Sequence, residues 1–453
     1  MGRTRILALD HFFDQDLRAL AAHPLLDVRR FPYQRLRNPA MRIMTEAVSD
    51  GLPGYNRPEL ERRRRRYAAW LEREVRKLYL ERAFDILVLP SDTFFYVRSL
   101  PAAVHALGIP LVVVQKETTI SADTMEAHSR LTRDEAPFCA DFMTVCSERQ
   151  REFWLRAGAD PALIEVTGQP RFDVYAEGRP HPSSPRRRVL FLSYDLEAYV
   201  PAEFRHPGAQ TWEGLRNATE AVLLDSVRSG ATEVIVKCHP QQNHRAEEAH
   251  LATSAGALWR RGISLAPPQA DTRQLILGAD VVVGFQTTAL YESVAAARPT
   301  IVAAWGEPYR RLRSGLIPFH EAPAECVLHA TAPEQLAVLL TGSLMPPTGC
   351  ARWYEQALGP VNGHATQRVA ARLAAVASAW PVTSERGALD ARRRHYAVGL
   401  LVRSVAAEAV WRAAIPIAHV AGQQDRVGMR RKRAQQGRAM AMTSLRGGDA
   451  SPD

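Results

Sequence analysis

Cysteine is scarce in this sequence: five residues in 453, at Cys139, Cys146, Cys238, Cys326 and Cys350. The number is odd and no C-x-x-C pair occurs, which excludes the spaced clusters of a zinc ribbon or a redox dithiol. Five reduced thiols and a cytoplasmic protein are therefore expected. A long apolar run is also missing. The start, Ile6-Leu7-Ala8-Leu9-Asp10 after two arginines, reaches an aspartate after four apolar residues, too few for a secretion signal. No uncharged stretch approaches the roughly 20 residues of a membrane span. Lysine is rarer still, with only Lys77, Lys116, Lys237 and Lys432 among 58 Lys and Arg.

What remains is ordinary globular composition, 46% hydrophobic and 23% charged. The length suits two or three domains with sizeable cores. Net charge is +10, but residues 385–453 hold 13 basic and 6 acidic side chains, so +7 of it sits in the tail. The body, near +3, is not charged like a nucleic-acid binder.

Short apolar runs alternate with amphipathic stretches, the pattern of a parallel α/β sheet. Strands are predicted at Arg5–Asp10, Leu26–Arg30, Phe84–Pro90, Pro110–Gln115, Phe142–Cys146 and Ile164–Gly168. A long helix is predicted over Arg57–Arg82, where Tyr67, Leu71, Val75, Leu78 and Tyr79 recur at helical spacing. The proline-rich stretch 178–185 reads as a linker. Strands then restart at Val189–Ser193, Glu233–Lys237, Ile263–Leu265, Asp280–Gly284 and Thr300–Ala304. The expected organisation is a first α/β domain over 1–175, a second over 188–345, helices over 346–380 returning to the first, and a partly disordered basic tail over 381–453.

Ligands of open α/β sheets bind beyond the carboxyl ends of strands, so the residues that follow each strand are the candidates. In Lys237-Cys238-His239-Pro240 the proline favours an extended His239, whose imidazole can meet a phosphate or act as a general acid. In Gly284-Phe285-Gln286-Thr287-Thr288…Glu292 a helix start offers backbone N–H groups and two hydroxyls to an anion. Glu292, four residues past Thr288, can accept a ribose diol; N-capping and dipole effects are the plain alternatives. Arg171, in Gly168-Gln169-Pro170-Arg171-Phe172-Asp173, is placed at a hinge where it could reach a diphosphate. Lys116 follows a first-domain strand, as Lys237 does a second-domain one. Asp10, His11, Asp92 and Glu117 also follow first-domain strands, and His11, Asp92 and Glu117 are the candidate acid–base residues there. Asp14-Gln15-Asp16 resembles a metal-binding D-x-D, but helix-start capping explains it better. The arginines 62–66 span more than a helical turn and read as a solvated face.

These motifs, with Asn362-Gly363-His364-Ala365 before a late helix, resemble GT-B-fold enzymes of bacterial surface-polysaccharide synthesis. The similar families are capsule glycosyltransferases and CDP-glycerol glycerophosphotransferase-like proteins; UDP-N-acetylglucosamine 2-epimerases share the fold. The resemblance implies two doubly wound, Rossmann-like domains facing a central cleft, with the donor nucleotide on the second domain and the acceptor on the first. It further implies that His239 and the Gly284–Thr288 region contact the phosphates and Glu292 the ribose. The epimerases usually carry Ser-Gly-Gly…Glu-Glu at that helix start, which this chain lacks, and Asn362 stands where capsule transferases have an acid. The expected activity is metal-independent transfer of a sugar or glycerophosphate from a UDP-, CDP- or CMP-linked donor to a glycan or lipid-linked acceptor, with no other cofactor. The alternatives are an epimerase or hydrolase of the same fold, or a non-catalytic nucleotide-sugar-binding protein. Tyr396–Val420 followed by Arg430–Arg433 could bring the tail to the inner face of the membrane.

Overall fold

All eleven predicted runs become strands, each within about two residues of its expected ends. The computed structural model describes residues 2–11, 13–45, 52–116, 120–176, 186–193, 210–239, 242–285, 287–306, 317, 319–344, 350–420, 435 and 438. Glu117, the linker 178–185 and the basic run 430–433 lie outside the described residues.

One sheet holds β1 (Thr4–Asp10), β2 (Leu26–Pro32), β3 (Ile86–Leu89), β4 (Leu111–Val114), β5 (Phe142–Val145) and β6 (Ile164–Val166), in the order β2-β1-β3-β4-β5-β6. The other holds β7 (Arg187–Leu192), β8 (Thr232–Lys237), β9 (Ile263–Leu265), β10 (Val281–Gly284), β11 (Thr300–Ala303) and β12 (Leu328–Ala330), in the order β12-β11-β10-β7-β8-β9. The described pairings are parallel. β12 was not legible in the sequence: three residues, Leu328-His329-Ala330, are too few to show an alternation, and they count as a strand only because Ile301 of β11 pairs with Leu328.

Burial explains why these runs are apolar at every position. Successive side chains of a strand point to opposite faces. Val189 and Phe191 of β7 join Leu223, Val227 and Leu251 in one apolar cluster. Leu190 and Leu192 join Ile276, Leu290 and Phe319 in another. The second sheet is therefore covered on both faces, as parallel sheets require. β3, β4 and β5 are buried at all four positions each, so the first sheet's centre is covered in the same way. The chain is α/β with two parallel, Rossmann-like sheets, as expected.

Two compact units result: 1–114, 138–143 and 370–453 form the first, and 115–137 with 144–369 the second. Within the first, the helix Glu61–Glu81 buries Tyr67, Leu71, Val75, Leu78 and Tyr79, the predicted stripe. The stretch expected as a tail begins instead with a 37-residue helix, Ser384–Val420. Its first turns are anchored. Arg386, 8% exposed, donates to Asp85 at 2.6 Å and to the Tyr79 hydroxyl at 3.1 Å, and that hydroxyl donates to Asp390 at 2.8 Å. The apolar positions of this segment form no clean stripe in sequence because its anchor is a buried charge. Among the described residues no helix is long and apolar enough to cross a membrane.

The thiol expectation is corrected. Cys326 and Cys350 form a disulfide across 24 positions, and Cys139, Cys146 and Cys238 are free. Sequence spacing cannot reveal such a pair. It is made by the fold, which seats Cys326, just before β12, and Cys350, ahead of the helix Ala351–Ala357, in one apolar cluster.

Burial also raises the phenols of Tyr67, Tyr96 and Tyr175, and pushes that of Tyr354 up to about 12. Unfolded tyrosine ionises near pH 10. Above that pH the unfolded chain gives up protons that the folded chain keeps, so stability present below pH 10 is lost as pH rises. Each buried phenol contributes up to about 1.4 kcal/mol per pH unit to that loss. Urea midpoints should thus fall steeply between pH 10 and 12; midpoints that stay level across that range would contradict this.

Candidate functional site

The second sheet starts at β7, adds β8 and β9 on one side, then returns to place β10, β11 and β12 on the other. The order reverses between β7 and β10, the switch point where such sheets bind ligands. Leu192 of β7 pairs with Lys237 of β8 and with Gly284 of β10. The Lys237-Cys238-His239 and Gly284…Thr287-Thr288 segments therefore leave the same edge of the sheet at the same level. Two strand spacings, about 10 Å, separate their strand ends.

His239 is half-buried and held through its backbone. Its N–H donates to Gln242 Oε1 at 2.5 Å, its carbonyl accepts the Gln242 N–H at 2.9 Å, and Gln242 Nε2 donates to Ser193 Oγ at 3.0 Å. Gln242 thus ties His239 to the end of β7, a role invisible in sequence. Lys237 places Nζ 3.4 Å from the Pro268 carbonyl, and burial holds its ammonium below the usual lysine range.

The helix start is less open than expected. Thr287, 7% exposed, accepts the Ala289 N–H on Oγ1 at 3.3 Å. The Leu290 and Tyr291 N–H groups donate to the carbonyls of Thr287 and Thr288 at 3.2 and 3.0 Å. Entry through i→i+3 turns consumes amides that the sequence reading assigned to an anion. Thr288 makes no side-chain cap bond to the helix Ala289–Ala295. Gly284 has a packing reason: a Cβ there would lie 3.1 Å from Leu290 Cδ2 and 3.4 Å from Leu192 Cβ.

Glu292 and Arg171 are brought together, but with each other. Glu292 is 5% exposed, accepts the Tyr175 phenol at 2.6 Å, and has Arg171 Nε at 3.9 Å. Arg171, 8% exposed, lies over the Phe172 ring at 5.3 Å. The arginine expected to reach a diphosphate and the carboxylate expected to face a ribose form a buried ion pair in this structure. Burial, then Glu292, raises the Tyr175 phenol. Tyr175 escaped sequence reasoning because 117 positions separate it from Glu292.

In the first sheet the order reverses between β1 and β3. His11 follows β1 and Asp92 follows β3, so two predicted residues share that switch point. Asp92 is fully buried; its Oδ2 accepts the Cys139 N–H at 2.9 Å, and Arg98 stands 3.9 Å away. Burial pushes its carboxyl up, as acid–base groups require, yet shields it from solvent. His11 Nδ1 lies 2.5 Å from the Tyr96 hydroxyl. Lys116 is half-buried, and its carbonyl accepts from Gln150. Asp14 and Asp16 occupy the first turn of the helix Asp14–Ala21, where Asp14 pairs with Arg18 at 2.7 Å and Asp16 is buried. Among the described residues no cluster of His, Cys, Asp and Glu could hold a metal.

No protein-family model matches the sequence, and no curated protein matches it. Solved structures with a similar arrangement include a putative UDP-N-acetylglucosamine 2-epimerase from Listeria monocytogenes: 16% identity, 82% of this chain and 95% of that one covered, TM-score 0.47. The UDP-GlcNAc 2-epimerase of Methanocaldococcus jannaschii is 14% identical over 82% of this chain and 99% of its own, at TM-score 0.48. An Anabaena protein, HepE, in complex with UDP-glucose is 12% identical over 83% and 98%, at TM-score 0.43.

Proposed function

We infer that the second unit binds the nucleotide of an activated sugar across the β7–β10 switch point, and that the protein is an enzyme transferring the sugar, or a glycerophosphate, to a bacterial surface glycan. The observation that supports this is the shared edge: a lysine, a histidine and two threonines emerge at one level about 10 Å apart. A diphosphate with its ribose can bridge that span. Lys237 and His239 would take the charge of the leaving phosphate, the task a divalent cation performs elsewhere. In the transfer, an acceptor oxygen bonds to the transferred group as its bond to phosphate breaks. The electron pair leaves with the nucleotide, and the acceptor proton passes to a base, for which His11 and Glu117 are the candidates.

A second reading is conversion of the donor without an acceptor. Incubating UDP- and CDP-sugars with the protein alone separates the two: an epimerised sugar or free nucleotide without acceptor favours conversion. A thermal-shift panel of UDP, CDP, CMP and GDP tests the shared premise. One of them should stabilise by about 2.7 kcal/mol at a hundredfold excess over Kd; four flat responses would dismiss nucleotide binding.

The cytoplasmic face of the membrane fits as the place of action. Val398, Val402 and Val405 of the helix Ser384–Val420 are 50%, 61% and 44% exposed, and the basic run 430–433 follows in sequence. Removing 421–453, which spares the docked turns at Arg386, should abolish binding to anionic liposomes. Equal binding by the shortened chain would remove the membrane contact.

A further inference from the structure

Three neighbouring strand ends of the first sheet each deliver an aromatic ring to one place. Tyr33 follows β2, His11 follows β1, and Phe94 follows β3, in the spatial order β2-β1-β3. The Tyr33 N–H donates to the Asp10 carbonyl at 3.3 Å, which fixes the first of these ends to the second. Tyr33 stacks on His11 with ring centres 4.0 Å apart and planes 12° from parallel. Phe94 meets the other side of the cluster, 4.7 Å from His11, and lies parallel to Tyr96 at 5.4 Å and 3°. Tyr96 is buried and sets its hydroxyl on His11 Nδ1, which fixes the imidazole plane. Tyr33, His11 and Phe94 are half-buried, so part of each ring meets solvent.

Aromatic side chains bring a large apolar face with a defined geometry to whatever meets their open part. Here they sit at the first sheet's switch point, where ligands bind. The loop that carries Phe94 begins with two hydroxyls, Ser91 and Thr93, 2.9 Å apart. A π-rich stack whose rings stay partly open to solvent is complementary to a pyranose, which has an apolar C–H face.

We propose that the Tyr33–His11–Phe94 row is a carbohydrate-stacking platform that holds a hexose unit of the acceptor. Its acceptor role rests on the transferase reading above; its sugar binding does not. The test is saturation-transfer NMR on the full chain with N,N′-diacetylchitobiose, lactose, maltose and gentiobiose, beside uridine as a competing flat ligand. At least one disaccharide should bind, with the transfer strongest on C–H protons of one ring face. Tyr33→Leu with Phe94→Leu should weaken that binding at least tenfold, whereas Tyr33→Trp should keep it. The UDP-induced thermal shift should be the same in every variant, which also reports that they are folded. The proposal is overturned if none of the four sugars binds, if the leucine variants bind as the natural chain does, if Tyr33→Trp loses as much as Tyr33→Leu, or if uridine displaces the sugars from these rings. Absence of any UDP shift alongside sugar binding would instead defeat the nucleotide reading alone.

Discussion

His239→Ala should lower turnover of the nucleotide-activated donor by about 10²–10⁴-fold, the range associated with losing a general acid or phosphate donor, while leaving the protein folded. The second half of that statement follows from how the residue is held. The contacts with Gln242 are made by the main-chain N–H and carbonyl of His239, and alanine retains both. The tie from Gln242 to Ser193 does not involve the imidazole at all. Strand β8 and the end of β7 should therefore keep their register, and the melting temperature should stay within a degree or two. Kinetics with a saturating donor, beside circular dichroism, check both parts. A variant with natural turnover would discard the phosphate role of His239, and with it the mechanism.

The largest expected stability effect lies at Glu292. Its carboxylate is the acceptor for the Tyr175 phenol and the counter-charge of Arg171, all three at most 8% exposed. Glu292→Ala leaves a guanidinium out of water beside the Phe172 ring and a phenol without its acceptor. Removing one partner of a buried pair costs about 3–5 kcal/mol, against a total stability of roughly 5–15 kcal/mol. Replacing the pair together, Arg171→Met with Glu292→Leu, should recover much of the loss, because no buried charge is then stranded. Urea midpoints of the three proteins decide the matter. The ribose role would leave a different signature: Glu292→Ala would unfold like the natural protein but bind nucleotide more weakly.

Strands were legible because a parallel sheet covered on both faces demands apolar residues at every position, and Val281-Val282-Val283 or Leu87-Val88-Leu89 satisfy that without ambiguity. The edges where ligands bind were legible too, since they are where such runs stop. What each side chain does at an edge was less so. Pairing of Arg171 with Glu292 across 121 positions is a property of the fold, and sequence offers only solvent or a ligand as partners. The threonines were read as donors because a helix start normally frees its amides; here a tight entry engages three of them. Tyr33 and Phe94 drew no attention, as a lone aromatic after a strand is ordinary. Only the strand order β2-β1-β3 shows that three of them converge. The disulfide was hidden for the same reason.

The Arg386 anchor bears on how the protein comes into being. Asp85, which already pairs with Arg5, and Tyr79 belong to the first quarter of the chain, yet Arg386, which joins them, is made some 300 residues later. Translation at about 5–20 residues per second leaves them waiting for roughly 15–60 s. In that interval everything needed for the β7–β12 sheet has already emerged. The amino-terminal half-built layer is completed last, so the order of synthesis and the order of completion run in opposite directions.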